Sequence, residues 1–492
     1  MGICRMAFRP AVCQMGTMST KTSTRKPHPD AARWAVVGGG VLGLTLARRL
    51  RARGHAVTVF ESAPELGGLA SAWQLHETEL HETELHETEP HETEPRETQP
   101  RDAGHGCVTW DRHYHVTLLS DAHTRSMLRD LDLEHTVKWV ITKTGVFGDG
   151  HLYSVSNALE FLRFPLLRLQ DKVRLGATIA AGARMTDWRR LEQIPVETFL
   201  RRWSGDRTFD RFWKPLLRAK LGDRYKDASA AFIWATIARL YAARRGGHKV
   251  EMFGYVPGGY ARVFERFGER LAADGVEVRT SARVESVDRT EGGLEIVMAD
   301  GARHAFDKVV VTAASPVAAR LCPVLPAAER DRLAAVQYHG IVCASLLLER
   351  PLADFYVTNL TDDWVPFTGV IEMTALVDRA EFAGRALVYL PKYTAPDDPF
   401  LALDDAEVEA RFVAALERMY PHFRRDQVRA FRVSRVRYVF PVPTLGYSTR
   451  VPPMKTSVPG LFTVNSAQIV NGTLNVNETV QLAERAMPVL LG

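Results

Sequence analysis

One stretch near the N-terminus limits what this 492-residue chain can fold into more than any other. It reads Trp34-Ala-Val-Val-Gly38-Gly-Gly40-Val41-Leu42-Gly43, continues as an apolar segment to Leu50, and is followed by Val57-Thr-Val-Phe-Glu61. The order is strand, glycine turn, helix, strand and terminal acid, which is the layout of a dinucleotide-binding unit. Gly38 lets the chain turn off the first strand, Gly40 lets the backbone approach a pyrophosphate, and Gly43 lets the helix close on the sheet. Phosphates then sit on the first helical residues, Val41 and Leu42, where free N–H groups and the helix dipole favour negative charge without a basic side chain. Glu61 stands where a carboxylate accepts hydrogen bonds from a ribose, which implies a free 2′-hydroxyl.

The next residues decide which dinucleotide. Glu61-Ser62-Ala-Pro-Glu-Leu-Gly67-Gly68-Leu69-Ala70-Ser71 resembles the second flavin-contact stretch of the superfamily that holds flavin amine oxidases, protoporphyrinogen oxidase and phytoene desaturases. In that superfamily the glycine pair runs beside the pyrophosphate and ribityl chain, and an arginine commonly follows it where this chain has Leu69. The resemblance extends from about Arg33 to the C-terminus. Tyr255-Val-Pro-Gly-Gly259 followed by Gly275-Val-Glu-Val is similar to a helix and strand pair in which the backbone at the position of Val284 reads the adenine. Asp307 to Pro316 resembles the strand that returns beside the cofactor, Pro459 to Asn465 the last flavin strand, and Asn471 to Ala486 the helix aimed at the flavin. Val464-Asn465 replaces the usual Gly-Asp, so an uncharged amide meets the ribityl chain. What the resemblance implies is FAD as cofactor and an α/β fold: a Rossmann-type doubly wound FAD-binding domain interleaved with an α+β substrate domain.

Expected boundaries follow. Residues 1–30 form a disordered basic leader, 31–75 the first part of the FAD-binding domain, 76–100 a low-complexity insertion and 101–150 a junction. A helical substrate domain spans 151–252, the FAD-binding domain resumes over 253–320 and 451–492, and 321–450 supplies the sheet and helices of the substrate domain. The insertion repeats five residues at a time, from His76-Glu-Thr-Glu-Leu to Arg96-Glu-Thr-Gln-Pro100. Its histidines recur at i+5 rather than the i+4 that places two on one helical face, so it is no zinc-protease signature. Nine glutamates against one arginine there conceal a moderately basic remainder in a chain of net charge +5. A basic body suits an acidic substrate or an anionic membrane surface, and no nucleic-acid motif accompanies it.

Five cysteines without paired spacing argue against a disulfide framework or a metal site and fit a reducing compartment. Neither a membrane-spanning run nor a signal peptide is evident, so the expected place is the cytoplasm, with peripheral membrane contact left open. The aromatic and basic mixture from Trp203 to Tyr225 fits either such a contact or a helix packed within its own domain. Strands from Val336 to Leu348, Ala386 to Leu390 and Val428 to Phe440 are expected to floor the substrate cavity.

Catalytic residues are harder to read, because a flavin does the difficult step and the protein mainly orients the substrate. The best candidates follow the insertion, in Val108-Thr-Trp-Asp111-Arg-His113-Tyr-His115, where related flavoproteins carry Asp-x-Gly-x-His beside the flavin ring. On an extended segment Asp111, His113 and His115 share a face. Tyr438, with Phe440 and Tyr447, resembles the aromatic wall over the flavin, and each of these could equally be a core residue. The expected reaction is hydride removal from a small or lipophilic organic substrate. Two other readings stay open: a non-redox flavoenzyme resembling UDP-galactopyranose mutase, for which Arg435 and Arg437 are conceivable diphosphate partners, and a flavin-binding protein without catalytic activity.

Overall fold

The computed structural model describes residues 31–76, 107–244 and 252–492. The expected leader and nearly all of the repeat insertion lie outside the described residues. Strand β1 (Arg33–Val37), helix α1 (Val41–Ala52) and strand β2 (Ala56–Phe60) form the unit expected from the glycine motif. They belong to a five-stranded parallel sheet in the order Glu277–Arg279, β2, β1, Lys308–Val311, Leu461–Thr463.

Both faces of this sheet are covered, which explains why its strands read as continuous apolar runs rather than alternating ones. Trp34, Val36, Val57 and Val59 face α1 and the helices Gly259–Ala273 and Val476–Leu491. Ala35, Val37, Phe60 and Val309 face the opposite way, onto a three-stranded antiparallel sheet of Val284–Thr290, Gly293–Met298 and Arg303–Phe306. The strand order reverses between β1 and Lys308–Val311, and the crevice at the carboxyl ends of those two strands is where open α/β sheets bind ligands.

A seven-stranded sheet forms the second body, in the order Val428–Pro441, Tyr338–Leu348, Ala386–Thr394, Gly369–Glu372, Val357–Leu360, Thr144–Gly148, His151–Ser154. The three strands expected to floor the cavity are therefore immediate neighbours. Helix Asp405–Met419 packs on one face through Val408, Phe412 and Leu416. Trp110, Tyr255, Tyr356 and Tyr389 pack on the other. Most of the chain from Ala158 to Arg244 is helical, as the periodicity indicates. Within it Phe209, Trp213, Leu217, Leu221 and Tyr225 are buried, so most of the aromatic face of Trp203 to Tyr225 packs in the core of the helical layer, while Trp203 stays exposed. Apolar spacing is the same for a helix that packs on protein and one that packs on lipid, and sequence alone does not separate the two.

Strands β3 (Ala72–His76) and β4 (Cys107–Asp111) pair antiparallel, with His76 opposite Cys107. The two ends of the intervening segment are thus cross-strand neighbours, close enough for a two-residue turn. Replacing residues 77–106 with Asn-Gly is expected to leave the fold intact and thermal stability unchanged or raised. Shortening the loop removes roughly 2 kcal/mol of closure entropy. A thermal melt checks this, and a protein that becomes insoluble on replacement contradicts it.

Candidate functional site

The four glycines of the first motif do different things. A Cβ on Gly43 would collide with the Gly38 carbonyl, and one on Gly38, whose φ is +119°, would collide with the Thr312 hydroxyl. These two glycines are therefore required by the fold itself. Gly40 is different: φ −80° and ψ 176° suit any residue, and an added Cβ meets nothing nearer than the Gly67 carbonyl at 3.8 Å and Gly68 Cα at 4.0 Å. Its small size keeps open a space between two backbones rather than relieving a contact. Gly67 (φ +127°) and Gly68 (φ +56°) form the far wall of that space, tied to the motif by the Gly67 N–H donating to the Gly39 carbonyl at 2.9 Å.

Helix α1 opens onto this gap with no side-chain cap and no acid in its first turn, although Val41 and Leu42 are buried. A buried helix end without a cap normally has a ligand or water as partner, and N–H groups plus the dipole make the partner an anion. Glu61 follows β2 and is buried; its carboxylate accepts the Gly39 N–H at 2.7 Å and the Ala63 N–H at 2.8 Å, with the Ser62 hydroxyl at 3.2 Å. The chain entering Val284 crosses beside it, with the Ala282 N–H donating to the Glu61 carbonyl at 2.8 Å. The acid and Val284 thus sit at one corner of the crevice, although 223 residues apart in sequence order, counted as the difference of their numbers.

Leu69 and Ala70 lie in a short 3₁₀ turn after the glycine pair. The Leu69 carbonyl accepts from His113 Nδ1 at 2.9 Å, so the ring is joined to the cradle and its Nε2 is buried without a partner. Burial lowers the His113 pKa to about 4, which leaves the imidazole neutral and Nε2 a bare acceptor at neutral pH. At the opposite end, Asn465 is buried beyond Leu461–Thr463 and its Oδ1 takes the Ala467 N–H and the Ser315 hydroxyl, both at 3.0 Å. Those donors fix the amide orientation, and Asn465 Nδ2 is left as a buried donor without a partner. An uncapped helix end, a glycine-walled gap, a bare acceptor and a spare amide donor along one crevice fit a long, polar, anionic group such as FAD.

The grouping of Asp111, His113 and His115 on one face is not what the fold delivers. Strand β4 ends at Asp111, so the alternation that would align the three stops there. His115 Nδ1 lies 3.7 Å from the Asp111 carboxylate and its ring tilts over Tyr260 at 4.9 Å, while His113 turns away to Leu69. Asp111 has a structural task of its own: its carboxylate accepts the Tyr260 N–H at 2.9 Å, at the start of helix Gly259–Ala273. Its carbonyl takes the Tyr389 hydroxyl at 2.6 Å. A cavity of about 40 Å³ adjoins Asp111, His115, Tyr260 and Tyr389. A wider cleft of about 710 Å³, lined by Trp188, Arg189, Gln468 and Arg485 among others, holds none of the expected site residues.

Tyr438 meets Tyr338 edge-on at 5.8 Å, and the Tyr338 hydroxyl is 3.3 Å from Asn465 Oδ1, so the expected aromatic wall reaches the last flavin strand. Phe440 packs edge-on against Tyr393 at 5.6 Å. Tyr447 is buried and donates to the Ala467 carbonyl at 2.9 Å, which makes it a brace rather than an open wall. Arg435, considered from sequence as a diphosphate partner, is held by Asp405 at 2.6 Å and the Leu403 carbonyl at 2.7 Å, and Arg437 is exposed. Three residues of the chamber were not foreseen. Tyr114 and Tyr393 share a hydroxyl contact of 3.1 Å, and His339, buried behind Phe440, leaves Nε2 without a partner. Strand pairing of Tyr338–Leu348 with Ala386–Thr394 brings His339 and Tyr393 together, and the segment after β4 adds Tyr114.

A parallel sheet with a glycine-walled crevice, joined to a second sheet that carries an aromatic cluster, defines a dinucleotide-binding oxidoreductase of the flavoprotein class. The family model for flavin-containing amine oxidoreductases matches residues 43–486, and the chain belongs to that family as an FAD-dependent oxidoreductase. Solved structures agree on the fold. An oxidoreductase from Methanosarcina mazei is similar with a TM-score of 0.67 and 18% identity over 93% of this chain and 100% of that one. Putrescine oxidase bound to putrescine gives a TM-score of 0.65 and 17% identity over 94% and 99%. Reduced UDP-galactopyranose mutase gives 0.68 and 14% over 94% and 97%. No curated protein matches the sequence.

Folding and cofactor retention depend on different glycines of the motif. Gly40→Val is expected to fold with near-normal stability yet keep less than about a tenth of the wild-type flavin, because its side chain fills the gap and nothing else. Gly43→Ala is expected to lower stability by several kcal/mol, on the order of the larger overpacking penalties. Flavin absorbance and a thermal melt of each variant read the two effects apart, and a Gly40→Val protein with full flavin content contradicts the assignment.

Proposed function

We propose that the chain transfers a hydride from a small or lipophilic organic substrate to bound FAD, with the substrate seated between the crevice and the aromatic chamber. The observation that carries this reading is the contact of Tyr114 with Tyr393, which ties the segment holding His113 at the cradle directly to the floor of the second sheet. Bound FAD supplies the two-electron acceptor. Gly38, Gly40 and Gly43 shape the turn, Val41 and Leu42 offer N–H groups to the pyrophosphate, and Glu61 with Ser62 takes the ribose. Val284 serves the adenine, Gly67, Gly68, Leu69 and Ala70 line the chain between the phosphates and the ring, and Asn465 donates its amide to the ribityl hydroxyls.

His113 is assigned the acceptor role, because its bare, neutral Nε2 can accept a hydrogen bond at neutral pH. Asp111 and His115 are positioning residues: the first caps a helix and the second packs on Tyr260 beside it. Tyr438 walls the chamber. Anaerobic mixing with primary amines, secondary amines and isoprenoid alcohols tests the reaction, with loss of the oxidised flavin band as the readout. At least one donor is expected to bleach the flavin. Turnover that appears only after prior reduction, with no net redox change, would replace this reading with a mutase-like one. Flavin that resists every donor would favour a binding protein without catalytic activity.

Peripheral contact with an anionic membrane surface accompanies this function in our reading. No helix among the described residues is long and apolar enough to cross a membrane. Helices Ala158–Arg163 and Leu169–Gly182 nevertheless expose Leu159, Leu162, Leu169 and Val173, each more than half accessible. Lys172 joins the two helices through the Leu162 carbonyl at 2.7 Å. The exposed charges bordering these side chains are Arg163, Arg168 and Arg174, while Asp171 is buried and Glu160 is bonded to Ser154 and Ser156. Apolar side chains bordered by three exposed arginines and the single carboxylate of Glu160 match an anionic interface. Sedimentation with phosphatidylglycerol vesicles is expected to retain the wild type. Changing Leu159, Leu162, Leu169 and Val173 to Gln should weaken retention by at least about tenfold, and equal retention of both proteins contradicts the surface.

A further inference from the structure

The helix Lys214–Leu221 ends beside the aromatic chamber. Its Ala219 carbonyl accepts the Thr368 hydroxyl at 2.9 Å, and that hydroxyl oxygen also receives the Tyr393 N–H at 3.4 Å. The link pins the last helical turn to strand Ala386–Thr394. Lys220 therefore projects over Tyr393, with Nζ 3.8 Å from the ring centroid and 5.3 Å from that of Phe440.

Among the described residues no carboxylate lies within ion-pair distance of this ammonium, and it makes no hydrogen bond. The aromatic faces compensate it only in part. Burial alone draws the Lys220 pKa down to about 7, with no neighbouring acid to raise it. A half-buried cation with no ionic partner, set against two aromatic rings, is a candidate for ligand binding rather than for stability.

Its surroundings narrow the ligand. When Tyr114 and Tyr393 share one hydroxyl contact, one of their two phenolic protons is used and the other is free. His339 donates from Nδ1 to the Thr394 carbonyl at 3.3 Å, which makes its unpartnered Nε2 an acceptor. Lys220 and one phenol are thus the available donors, and Tyr114, Tyr393 and Lys220 all keep partial exposure. Two donors match the two oxygens of a carboxylate, whereas a phosphate brings more charge and a third oxygen.

We propose that Lys220, flanked by the Tyr114–Tyr393 hydroxyl pair, anchors a carboxylate on the substrate and so selects carboxylate-bearing donors for the proposed hydride transfer. This rests on the aromatic chamber being the substrate site. Benzoate is the probe, titrated into the flavin-loaded protein by calorimetry while the flavin spectrum is recorded on the same sample. Wild type is expected to bind benzoate and to perturb the flavin band. Lys220→Met should weaken benzoate at least tenfold with flavin content unchanged, Lys220→Arg should recover part of the loss, and Tyr393→Phe should weaken it several-fold. Benzoate that binds with heat but leaves the flavin band unmoved supports the anchor while removing the chamber from the flavin. Equal benzoate affinity in wild type and Lys220→Met, or no binding by wild type, overturns the proposal.

Discussion

The buried, uncapped N-terminus of helix α1 is the constraint on which the rest of this structure depends. An unpaired cluster of N–H groups at a sheet crevice is costly unless an anion meets it. The fold arranges itself to keep that place available. Gly43 and Gly38 let α1 reach the sheet, Gly40 leaves the gap open, and Gly67 closes it from the other side through one backbone hydrogen bond. Glu61 holds the turn by taking the Gly39 N–H. A ligand with two phosphates completes what the chain leaves unfinished, so cofactor binding here is also a contribution to stability.

The second sheet solves a separate problem, that of bringing reactive side chains to the crevice without covering it. Tyr114 and His113 are adjacent in sequence but face different bodies: one reaches Tyr393 on the seven-stranded sheet and the other the Leu69 carbonyl of the cradle. A single short segment therefore sets the distance between the cradle and the second sheet. Tyr338 does the same at the other end, standing between Tyr438 and Asn465. Burial among these side chains disfavours positive charge: it lowers the pKa of His113 and of His339 to about 4 and that of Lys220 to about 7.

Legibility in the sequence followed the range of the interactions. The glycine unit, Glu61 and the apolar strands are local features, and each backbone requirement is met by the residue that carries it. Period-two reasoning places Asp111, His113 and His115 on one face, but it assumes an extended chain; the strand ends at Asp111, so His115 stays beside Asp111 while His113 turns to the cradle. The face of Trp213 and Leu217 was ambiguous because helical spacing does not say what lies opposite. Lys220 read as one more cation on a basic helix. Its partners Tyr393 and Phe440 come from strands far along the chain, and only their register reveals that no acid is among them.

The central claim is that the crevice at α1 holds FAD. An absorbance spectrum of the purified protein, followed by denaturation and identification of what is released, tests it most directly. Oxidised flavin bands and non-covalent release of FAD are expected. A colourless protein that also fails to take up added FAD would contradict that claim.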